Sequence, residues 1–314
     1  MAKTNVTEVA IILLNWNSYD DIVDCLESLK TQEYKDFEVF IVDNCSRDNS
    51  YELLKDHYSE GNFDFNVNFK KAEENLGFAG GNNIAIKDAY SRNFNYMWLL
   101  NSDTIVTPTT LSELIHTVSS DSQIGIVGSK IYYYDSKVLW FAGGELDLQK
   151  GISPHIGQHE IDKGQYDEQR EVEFITGCSL LVRREVIETV GYMREDYFLY
   201  YEDSDYNVRV KDNGWKIFYV PSSIVYHKVS HSSGGEESLA PYVAYYNMRN
   251  SYVMMRRNRS ARKLIPFSIL FWKLFKKHVK ILVKNQDKKV LRSKYIFYGL
   301  IDALRQRMGK HPDL

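Results

Sequence analysis

Residues 8–17 read EVAIILLNWN, a short apolar run that ends at two asparagines around a tryptophan. An apolar run of this length with polar ends is typical of a strand buried on both faces. A helix is predicted directly after it, because Ser18 is a good N-cap and acidic residues follow in the first turn. Ile22, Leu26 and Leu29 lie on one face of that helix. The segment therefore predicts one strand–helix unit of an α/β protein.

The same pattern returns along the first half of the chain. Further apolar runs, FEVFIV at 37–42 and YMWLL at 96–100, end in polar residues and alternate with helical patterns. Such strands, apolar almost throughout, indicate a mostly parallel sheet covered on both faces. The second half predicts a polar loop or hairpin at 143–170, helices at 183–190 and 202–211, strands at 215–220 and 224–226, a Gly/Ser-rich stretch at 230–238, and then helices with a break at Pro266.

The composition is that of an ordinary globular protein. Of 314 residues, 44% are hydrophobic and 26% charged, which excludes collagen-like, low-complexity and disordered classes. Three cysteines, far apart and odd in number, provide no disulfide framework or zinc-binding spacing, so we expect a reducing compartment. We expect no signal peptide in the first 17 residues, and no apolar run approaches the roughly 20 residues of a membrane-spanning helix.

The charges are distributed unevenly although the net charge is only −3. Residues 249–314 carry 18 basic and three acidic side chains, whereas residues 1–248 carry 21 basic and 39 acidic ones. A basic segment of this kind indicates an anionic surface as a partner.

Polar side chains follow three of the predicted strands: Asn15 and Asn17, Asp43 and Asn44, and Asn101 and Asp103. A single aspartate in such a place is most often a helix cap. Three strand ends with the same feature favour a binding site, because parallel sheets bind ligands at the carboxyl ends of their strands.

Glycine-rich phosphate loops are absent from the first strand–helix turn, where LLNWNSYDD contains no glycine. This excludes a dinucleotide-binding Rossmann fingerprint and a Walker loop at that turn. The segment ENLGFAGGNN at 74–83 precedes a predicted helix, where backbone N–H groups could meet a phosphate or a nucleotide edge. A tight entry into that helix is the alternative.

Several motifs, in order along the chain, resemble those of the family-2 glycosyltransferases with the GT-A fold. They are VAIILLNWN, IVDNCSRDNS, ENLGFAGGNN, LLNSDT, FITGCSLLVRRE and FLYYEDSDYNVRVKDNGWKIFYVPSSIVYHKVSH. The resemblance covers about residues 8–257 and is greatest to the bacterial rhamnosyltransferase-like enzymes that build cell-surface polysaccharides. It implies a Rossmann-like, mostly parallel sheet flanked by helices, with a C-terminal basic helical extension.

The resemblance also implies the residues that hold the donor. Asp43 would accept a hydrogen bond from the imide of uracil or thymine. The other residues expected around the base, ribose and diphosphate are Asn15, Asn17, Asn44, Asn75, Gly77, Asn82, Asn101 and Arg249. For Arg249, a place on a surface helix is the alternative. Asn101 stands where the family has the first acid of its D-x-D motif, so Asp103 is expected to be the main carboxylate for Mg²⁺ or Mn²⁺, with His227 completing the metal site.

For the acceptor side, the resemblance matches Glu202 and Asp203 to the family's acidic pair, with Asp203 as general base. Helix capping is the alternative role for these acids, and for Asp205 beside them. His155 and His159 are expected to be solvated loop residues, because no acidic motif accompanies them.

These residues suit transfer from a nucleotide sugar. A divalent cation neutralises the charge that grows on the diphosphate, and a carboxylate on the other face of the sugar removes the proton of the acceptor hydroxyl. A single displacement predicts inversion at the anomeric carbon. We therefore expect a metal-dependent inverting glycosyltransferase with dTDP-rhamnose or a UDP-sugar as donor and a lipid-linked saccharide as acceptor.

Two other functions stay open on the sequence. One is a sugar-nucleotide pyrophosphorylase, although that activity would need a Gly-, Arg- and Lys-rich triphosphate loop after the first strand. The other is a non-catalytic scaffold whose basic segment binds a membrane or nucleic acid. If the protein is a glycosyltransferase, no nucleic-acid partner is expected. The sequence does not indicate the oligomeric state.

The expected organisation is a catalytic domain at residues 1–238 and a basic amphipathic helical region at 239–314. Within that region, residues 264–282 place large apolar side chains among Lys273, Lys276, Lys277 and Lys280. This pattern predicts a helix that lies in a membrane interface, on the cytoplasmic face of the cell membrane. A helix packed on the catalytic domain with solvated lysines is the alternative.

Overall fold

The computed structural model describes residues 7–61, 63–229, 240–258, 267–283 and 287–312. Its first half alternates strands and helices as predicted. The elements are β1 (Val9–Asn15), α1 (Tyr19–Leu29), β2 (Phe37–Asp43), α2 (Ser50–Glu60), β3 (Val67–Lys71), α3 (Gly77–Ser91) and β4 (Tyr96–Leu100).

These four strands pair in parallel in the order β3-β2-β1-β4. Every side chain from Val9 to Leu13 is fully buried, because β1 lies at the centre of this parallel half with helices packed over the sheet. The carboxyl ends of β1, β2 and β4 consequently lie along one edge, which brings the three polar strand ends together.

The second half contains more elements than the sequence predicted. They are β5 (Thr104–Val106), α4 (Thr110–Ser120), β6 (Ile124–Tyr133), β7 (Leu139–Phe141), β8 (Arg170–Glu171), β9 (Ser179–Arg183), α5 (Arg184–Val190), a 3₁₀ turn (Glu195–Tyr197), α6 (Glu202–Asp212) and β10 (Lys216–His227). The full sheet has ten strands, with β9, β6, β10 and β5 following β4, while β7 pairs with β6 and β8 with β10.

The structure adds one detail to the sequence prediction and corrects another. β9 is antiparallel to both of its neighbours, β4 and β6, within an otherwise mostly parallel sheet. The two strands predicted at 215–220 and 224–226 are one strand, β10, whose pairing with β6 shifts register between Val220 and Ile224. Pro221 at this point interrupts the ladder, since proline has no N–H to donate.

The C-terminal region is helical, as predicted, with α7 (Pro241–Arg257), α8 (Phe267–Val283) and α9 (Lys289–Leu304). α7 is buried along most of its length and packs against α9 and against the segment before α6. The predicted domain boundary at 238–239 falls outside the described residues. Among the helices that the structure describes, none combines the length and apolarity needed to cross a membrane.

The lysines of α8 do not all face solvent. The Nζ of Lys273 donates hydrogen bonds to Ser251 Oγ and to the carbonyl of Gly151. Burial, and to a smaller extent the neighbouring Lys277, lower the pKa of Lys273 to about 7. The expectation that Lys273 faces a membrane is therefore wrong, whereas Lys276 is exposed and the Lys280 side chain lies outside the described residues.

Candidate active site

Asp103 and His227 meet at the edge of the sheet where β4 ends. β5 runs antiparallel to β10, and this pairing sets Thr104 opposite His227. His227 Nε2 lies 3.1 Å from Asp103 Oδ1, and the backbone N–H of Lys228 donates to the carbonyl of Asp103. The imidazole is 6% exposed, and its Nδ1 is buried without a hydrogen-bond partner among the described residues. One carboxylate and one imidazole thus share a site.

Asp203 lies in the first turn of α6 and is held there by backbone donors. Its Oδ2 accepts a hydrogen bond from the N–H of Gly177 at 3.0 Å, and its Oδ1 accepts one from the N–H of Ser204 at 2.6 Å. Gly177 has no side chain between these groups, and a Cβ there would lie 2.9 Å from the Phe78 ring. The glycine therefore allows the turn before β9 to lie against the carboxylate.

The same turn connects Asp203 to the Asp103–His227 pair. Next to Gly177, the carbonyl of Cys178 accepts a hydrogen bond from the N–H of Asn101 at 2.9 Å. The Cys178 thiol is also close enough to raise the pKa of the His227 imidazole. Asp203 and the Asp103–His227 pair are thus near consecutive residues of one turn, although Asp103 and Asp203 lie about 100 residues apart in sequence.

Burial and neighbouring groups perturb the ionisation of this site. Burial raises the pKa of Asp203, and the N–H groups of Gly177 and Ser204 offset part of that effect. For His227, burial lowers the pKa, but Cys178 and the Asp103 carboxylate raise it, and the result lies well above the usual histidine value. Perturbed groups clustered at one sheet edge are typical of an active site.

Glu202, the other acid of the predicted pair, is only 5% exposed. Burial raises the pKa of Glu202 well above its usual value, and the charge of Asp203 raises it further. Its Oε2 has no hydrogen-bond partner within the described part of the chain. A protonated, neutral carboxyl is the form that this environment favours.

Asn15 and Asp43 form a buried network beneath the predicted nucleotide site. Asn15 Nδ2 donates to Asp43 Oδ1 at 2.8 Å and also to the hydroxyls of Ser46 and Ser50. Asn15 Oδ1 accepts from Ser18, and Asp43 Oδ2 accepts from the N–H of Ser46. Both Asn15 and Asp43 are fully buried, so the structure gives them an organising role in these turns. Direct contact of Asp43 with a base stays a prediction.

Asn44 connects β2 to the start of α3. It donates to Asn75 Oδ1 and to the carbonyl of Gly77, and its Oδ1 accepts from the N–H of Leu76. The N–H of Gly77 donates to Asn75 Oδ1, and the N–H of Phe78 donates to the carbonyl of Phe198. The N–H groups of Gly77 and Phe78, the first two of this helix, are therefore already paired. This pairing favours the alternative, a tight helix entry, and contact of the helix start with a phosphate stays a prediction.

The remaining residues predicted to bind the nucleotide-sugar donor differ in their exposure to solvent. Asn17 is exposed, with φ of 54°, and its Oδ1 accepts from the N–H of Arg47. Asn101 is half-buried beside Asp103. Asn82 is 2% exposed and donates to the carbonyl of Phe78 one turn earlier in α3. Of these three, Asn17 and Asn101 present surface at the carboxyl edge of the sheet.

Arg249 is not placed where a diphosphate could reach it. Its side chain is 1% exposed, and its Nη2 donates to the carbonyl of Tyr197 at 2.7 Å while its Nη1 donates to that of Gly309 at 2.6 Å. The expectation that Arg249 contacts the diphosphate is therefore wrong. Its guanidinium instead links α7 to the segment before α6.

Two residues near the site were missed or misjudged from the sequence. Trp140 on β7 packs edge-to-face against His227, with ring centroids 4.6 Å apart. His155, expected to be solvated, packs on Trp140 at the same centroid distance and lies 3.2 Å from the Trp140 carbonyl oxygen through Nδ1. No motif marks either residue, since only the folding of residues 140–155 over the sheet brings them there.

Solved structures with the same fold include known sugar transferases. The mannosyltransferase PcManGT of Pyrobaculum calidifontis, in complex with GDP-Man and Mn²⁺, aligns with a TM-score of 0.61 at 14% identity, covering 96% of this chain and 88% of that one. S. aureus TarS 1–349 in complex with UDP aligns with a TM-score of 0.58 at 17% identity, covering 96% and 82%. The architecture is thus that of the GT-A glycosyltransferases.

Curated relatives add sequence similarity. The N-acetylglucosaminyl-diphospho-decaprenol L-rhamnosyltransferase of Mycobacterium tuberculosis is 36% identical over 92 residues, and this match spans 29% of each protein. An uncharacterized glycosyltransferase of Methanocaldococcus jannaschii is 21% identical over 270 residues, or 85% of this chain and 84% of the relative. The profile of the family "Glycosyl transferase family 2" matches residues 10–191. This profile covers more than half of the chain, which therefore belongs to glycosyl transferase family 2.

Proposed function

We propose that this enzyme moves a sugar from a nucleoside-diphosphate donor to a saccharide acceptor, with inversion, in the synthesis of a cell-surface glycan. One observation carries the proposal. Asp203 accepts a hydrogen bond from the N–H of Gly177, and the next residue of that turn, Cys178, is close enough to His227 to raise the pKa of its imidazole, which supports a donor-side group and an acceptor-side group at one site. A one-step displacement needs a group on each face of the sugar.

The residues on the donor side fit Mg²⁺ or Mn²⁺. Asp103 offers a carboxylate and His227 an imidazole, and no larger group of His, Cys, Asp or Glu ligands occurs among the residues that the structure describes. Such a two-ligand site suits a cation that takes its other ligands from diphosphate oxygens and water. When bound, the cation would neutralise the charge that develops on the leaving diphosphate.

On the acceptor side, Asp203 would take the proton of the attacking hydroxyl. Two N–H groups orient its carboxylate, and its raised pKa makes it a better base than an ordinary aspartate. Ser204 Oγ donates a hydrogen bond to Ser153 Oγ at 2.9 Å, which places residues 151–155 beside the proposed general base, Asp203. These residues and Trp140 would form the wall against which an acceptor saccharide lies.

The names of the relatives support the substrate classes. The Mycobacterium tuberculosis relative is a rhamnosyltransferase that acts on a diphospho-decaprenol, and the structural neighbours bind UDP or GDP-Man. We therefore propose dTDP-rhamnose or a UDP-sugar as donor and a lipid-linked saccharide as acceptor.

A thermal-shift scan tests the donor site. UDP, dTDP or GDP with Mn²⁺ is expected to raise the Tm, because a ligand at 100 times its Kd adds about 2.7 kcal/mol to the free energy of unfolding. For a protein of this size that is a shift of about 4 °C. A larger shift with nucleoside triphosphates would favour the pyrophosphorylase, and no shift with any nucleotide would favour the non-catalytic scaffold.

We further propose that α8 and α9 bind an anionic membrane on the cytoplasmic face of the cell. Large apolar side chains are exposed along both helices: Phe271, Trp272, Phe275, Val279 and Val283 on α8, and Val290, Phe297, Ile301 and Leu304 on α9. We call this set the apolar stripe. His278 of α8 contacts Phe297 of α9, so the helices adjoin. Lys276 of α8, Lys288 at the start of α9 and Lys294 of α9 are also exposed, and this charge favours anionic lipids over a second copy of this basic region.

The double variant Trp272→Ser/Phe275→Ser tests this surface. Its binding to phosphatidylglycerol vesicles in co-sedimentation is expected to fall at least about tenfold, since burying one large apolar side chain contributes about 1.5–3 kcal/mol. Leu53→Ser, which changes an exposed apolar residue on α2, is the matched control and should bind like the wild type. Membrane binding through the stripe would be refuted if the double variant sedimented with vesicles like the wild type. It would also be refuted if the wild type formed a dimer through the stripe and the double variant did not.

A further inference from the structure

Residues 197–201, which we call the arch, connect the 3₁₀ turn to α6 and end at the residue before Glu202. Three of its five residues are non-glycine residues with positive φ: Phe198 at 65°, Tyr200 at 68° and Tyr201 at 73°. Aromatic residues rarely adopt this conformation, because their Cβ crowds the backbone. Strained segments of this kind persist where surrounding contacts hold them, and they cluster at functional sites.

The side chain of Asn250 on α7 supplies most of that support. Its Nδ2 donates to three carbonyls of the arch, those of Tyr197 at 3.0 Å, Leu199 at 2.7 Å and Tyr200 at 2.9 Å. Asn250 is fully buried, so water cannot replace these bonds. One amide therefore holds the carbonyls of most of the arch.

Arg249 orients that amide. Its Nε donates to Asn250 Oδ1 at 2.8 Å, which turns the Nδ2 group toward the arch, and its Nη2 donates to the Tyr197 carbonyl. The buried guanidinium thus acts together with Asn250, and its bond to the carbonyl of Gly309 ties this pair to the residues after α9.

The start of α3 supports the arch from another side. The N–H of Phe78 donates to the Phe198 carbonyl at 2.8 Å. A Cβ on Gly77, whose φ is +73°, would overlap the oxygen of that carbonyl. The start of α3 therefore packs directly against the arch, and the arch lies between α3 and α7.

The arch leads directly into the acidic pair. Tyr201 is the N-cap of α6, and its carbonyl accepts from the N–H of Asp205 at 2.9 Å. Asp203, two residues on, contacts the N–H of Gly177. A change in the arch would move the first turn of α6 and with it the Asp203 carboxylate relative to the Asp103–His227 pair.

We propose that Asn250 and Arg249 are positioning residues that hold the arch and thereby set Asp203 against Gly177. The C-terminal helical region is then a part of the catalytic apparatus, in addition to any role at a membrane. The consequence for turnover rests on the proposed function, whereas the positioning of the arch does not.

Asn250→Ala tests the proposal, with Met248→Ala as the matched control. Met248 is a fully buried residue of the same helix that packs on Ile281 and Ile296 and not on the arch. We expect hydrogen exchange of the backbone amides of residues 197–204 to rise at least about tenfold in Asn250→Ala and to stay near wild type in Met248→Ala. The kcat for hydrolysis of the donor should fall at least about tenfold in Asn250→Ala alone, with its KM within about twofold.

Equal exchange and equal kcat in the two variants at matched loss of Tm would overturn the proposal, because the effect would then be general destabilisation. If Asn250→Ala does not fold, Asn250→Ser is tested in its place, because its hydroxyl can still donate one hydrogen bond. The same rise in hydrogen exchange and the same fall in kcat are then expected, each of smaller size. If the wild-type enzyme hydrolyses no nucleotide sugar, the proposed function fails, while the exchange data still decide whether Asn250 holds the arch.

Discussion

Asp203→Asn is expected to lower kcat about 10²- to 10⁴-fold, the range that a general base contributes. The amide oxygen can still accept the hydrogen bond from Gly177, so the turn should stay in place, but the amide cannot take a proton. Nucleotide binding should survive, because Asp203 lies on the acceptor side. Donor turnover and calorimetric titration with the nucleotide give the two measurements.

The controls for this variant lie on the same helix. Asp212→Asn changes an exposed carboxylate at the end of α6 and should retain wild-type turnover. Glu202→Gln should have a much smaller effect than Asp203→Asn, since the buried Glu202 carboxyl favours its neutral form, which an amide resembles. Near-normal turnover in Asp203→Asn would remove Asp203 from the mechanism, and a large loss in Glu202→Gln would give the chemical role to Glu202.

The pH dependence follows from the same carboxylate. Burial raises the pKa of Asp203 from its ordinary value of 3.8. A general base must be ionised, so turnover should fall as the pH decreases through this raised pKa, above the range of an ordinary aspartate. Ionising a group with a raised pKa also costs folding free energy, and this cost sets in as the pH rises above 3.8. If turnover fell only at pH 3.8 or below, the assignment of Asp203 as the general base would be contradicted.

Asp103→Ala is expected to abolish measurable turnover, with a loss of at least about 10²- to 10³-fold. The substitution removes the only carboxylate that contacts His227 within the described residues, and with it the charge that would hold Mg²⁺ or Mn²⁺. Calorimetric titration with UDP or dTDP should show that Mn²⁺ strengthens nucleotide binding in the wild type and no longer does so in the variant.

The control for this loss is Asp56→Ala, an exposed carboxylate on α2 far along the chain from the site. It should keep both turnover and the effect of Mn²⁺. The backbone bond from Lys228 to the Asp103 carbonyl does not depend on the side chain, so β5 and β10 should stay paired in Asp103→Ala. If Mn²⁺ still strengthens nucleotide binding in that variant, the metal is held elsewhere.

Local signals were sufficient for most of the first half of the fold. The apolar runs of β1, β2 and β4 and the apolar face of α1 are properties of neighbouring residues, and they predicted these elements within a few residues. The direction of β9 was not predictable in this way. Its residues are buried on both faces, and a continuously apolar run has the same appearance whether the strand is parallel or antiparallel.

The resemblance named the chemical groups, but several of them have other contacts than expected. Asn44 and Asn75 hold the entry to α3, and Arg249 is buried on the arch. Polar residues near a motif can bind a ligand or satisfy buried backbone groups, and their identity does not distinguish the two.

The chain's residue pattern alone established an α/β protein, three polar strand ends and a basic helical C-terminal region, because each depends on residues close in sequence. Long-range pairing was needed to bring His227 to Asp103, Gly177 to Asp203, and Asn250 to the arch, across separations of 124, 26 and about 50 residues. Those contacts depend on strand order and on the packing of α7, which arise only when distant segments bury their apolar faces together.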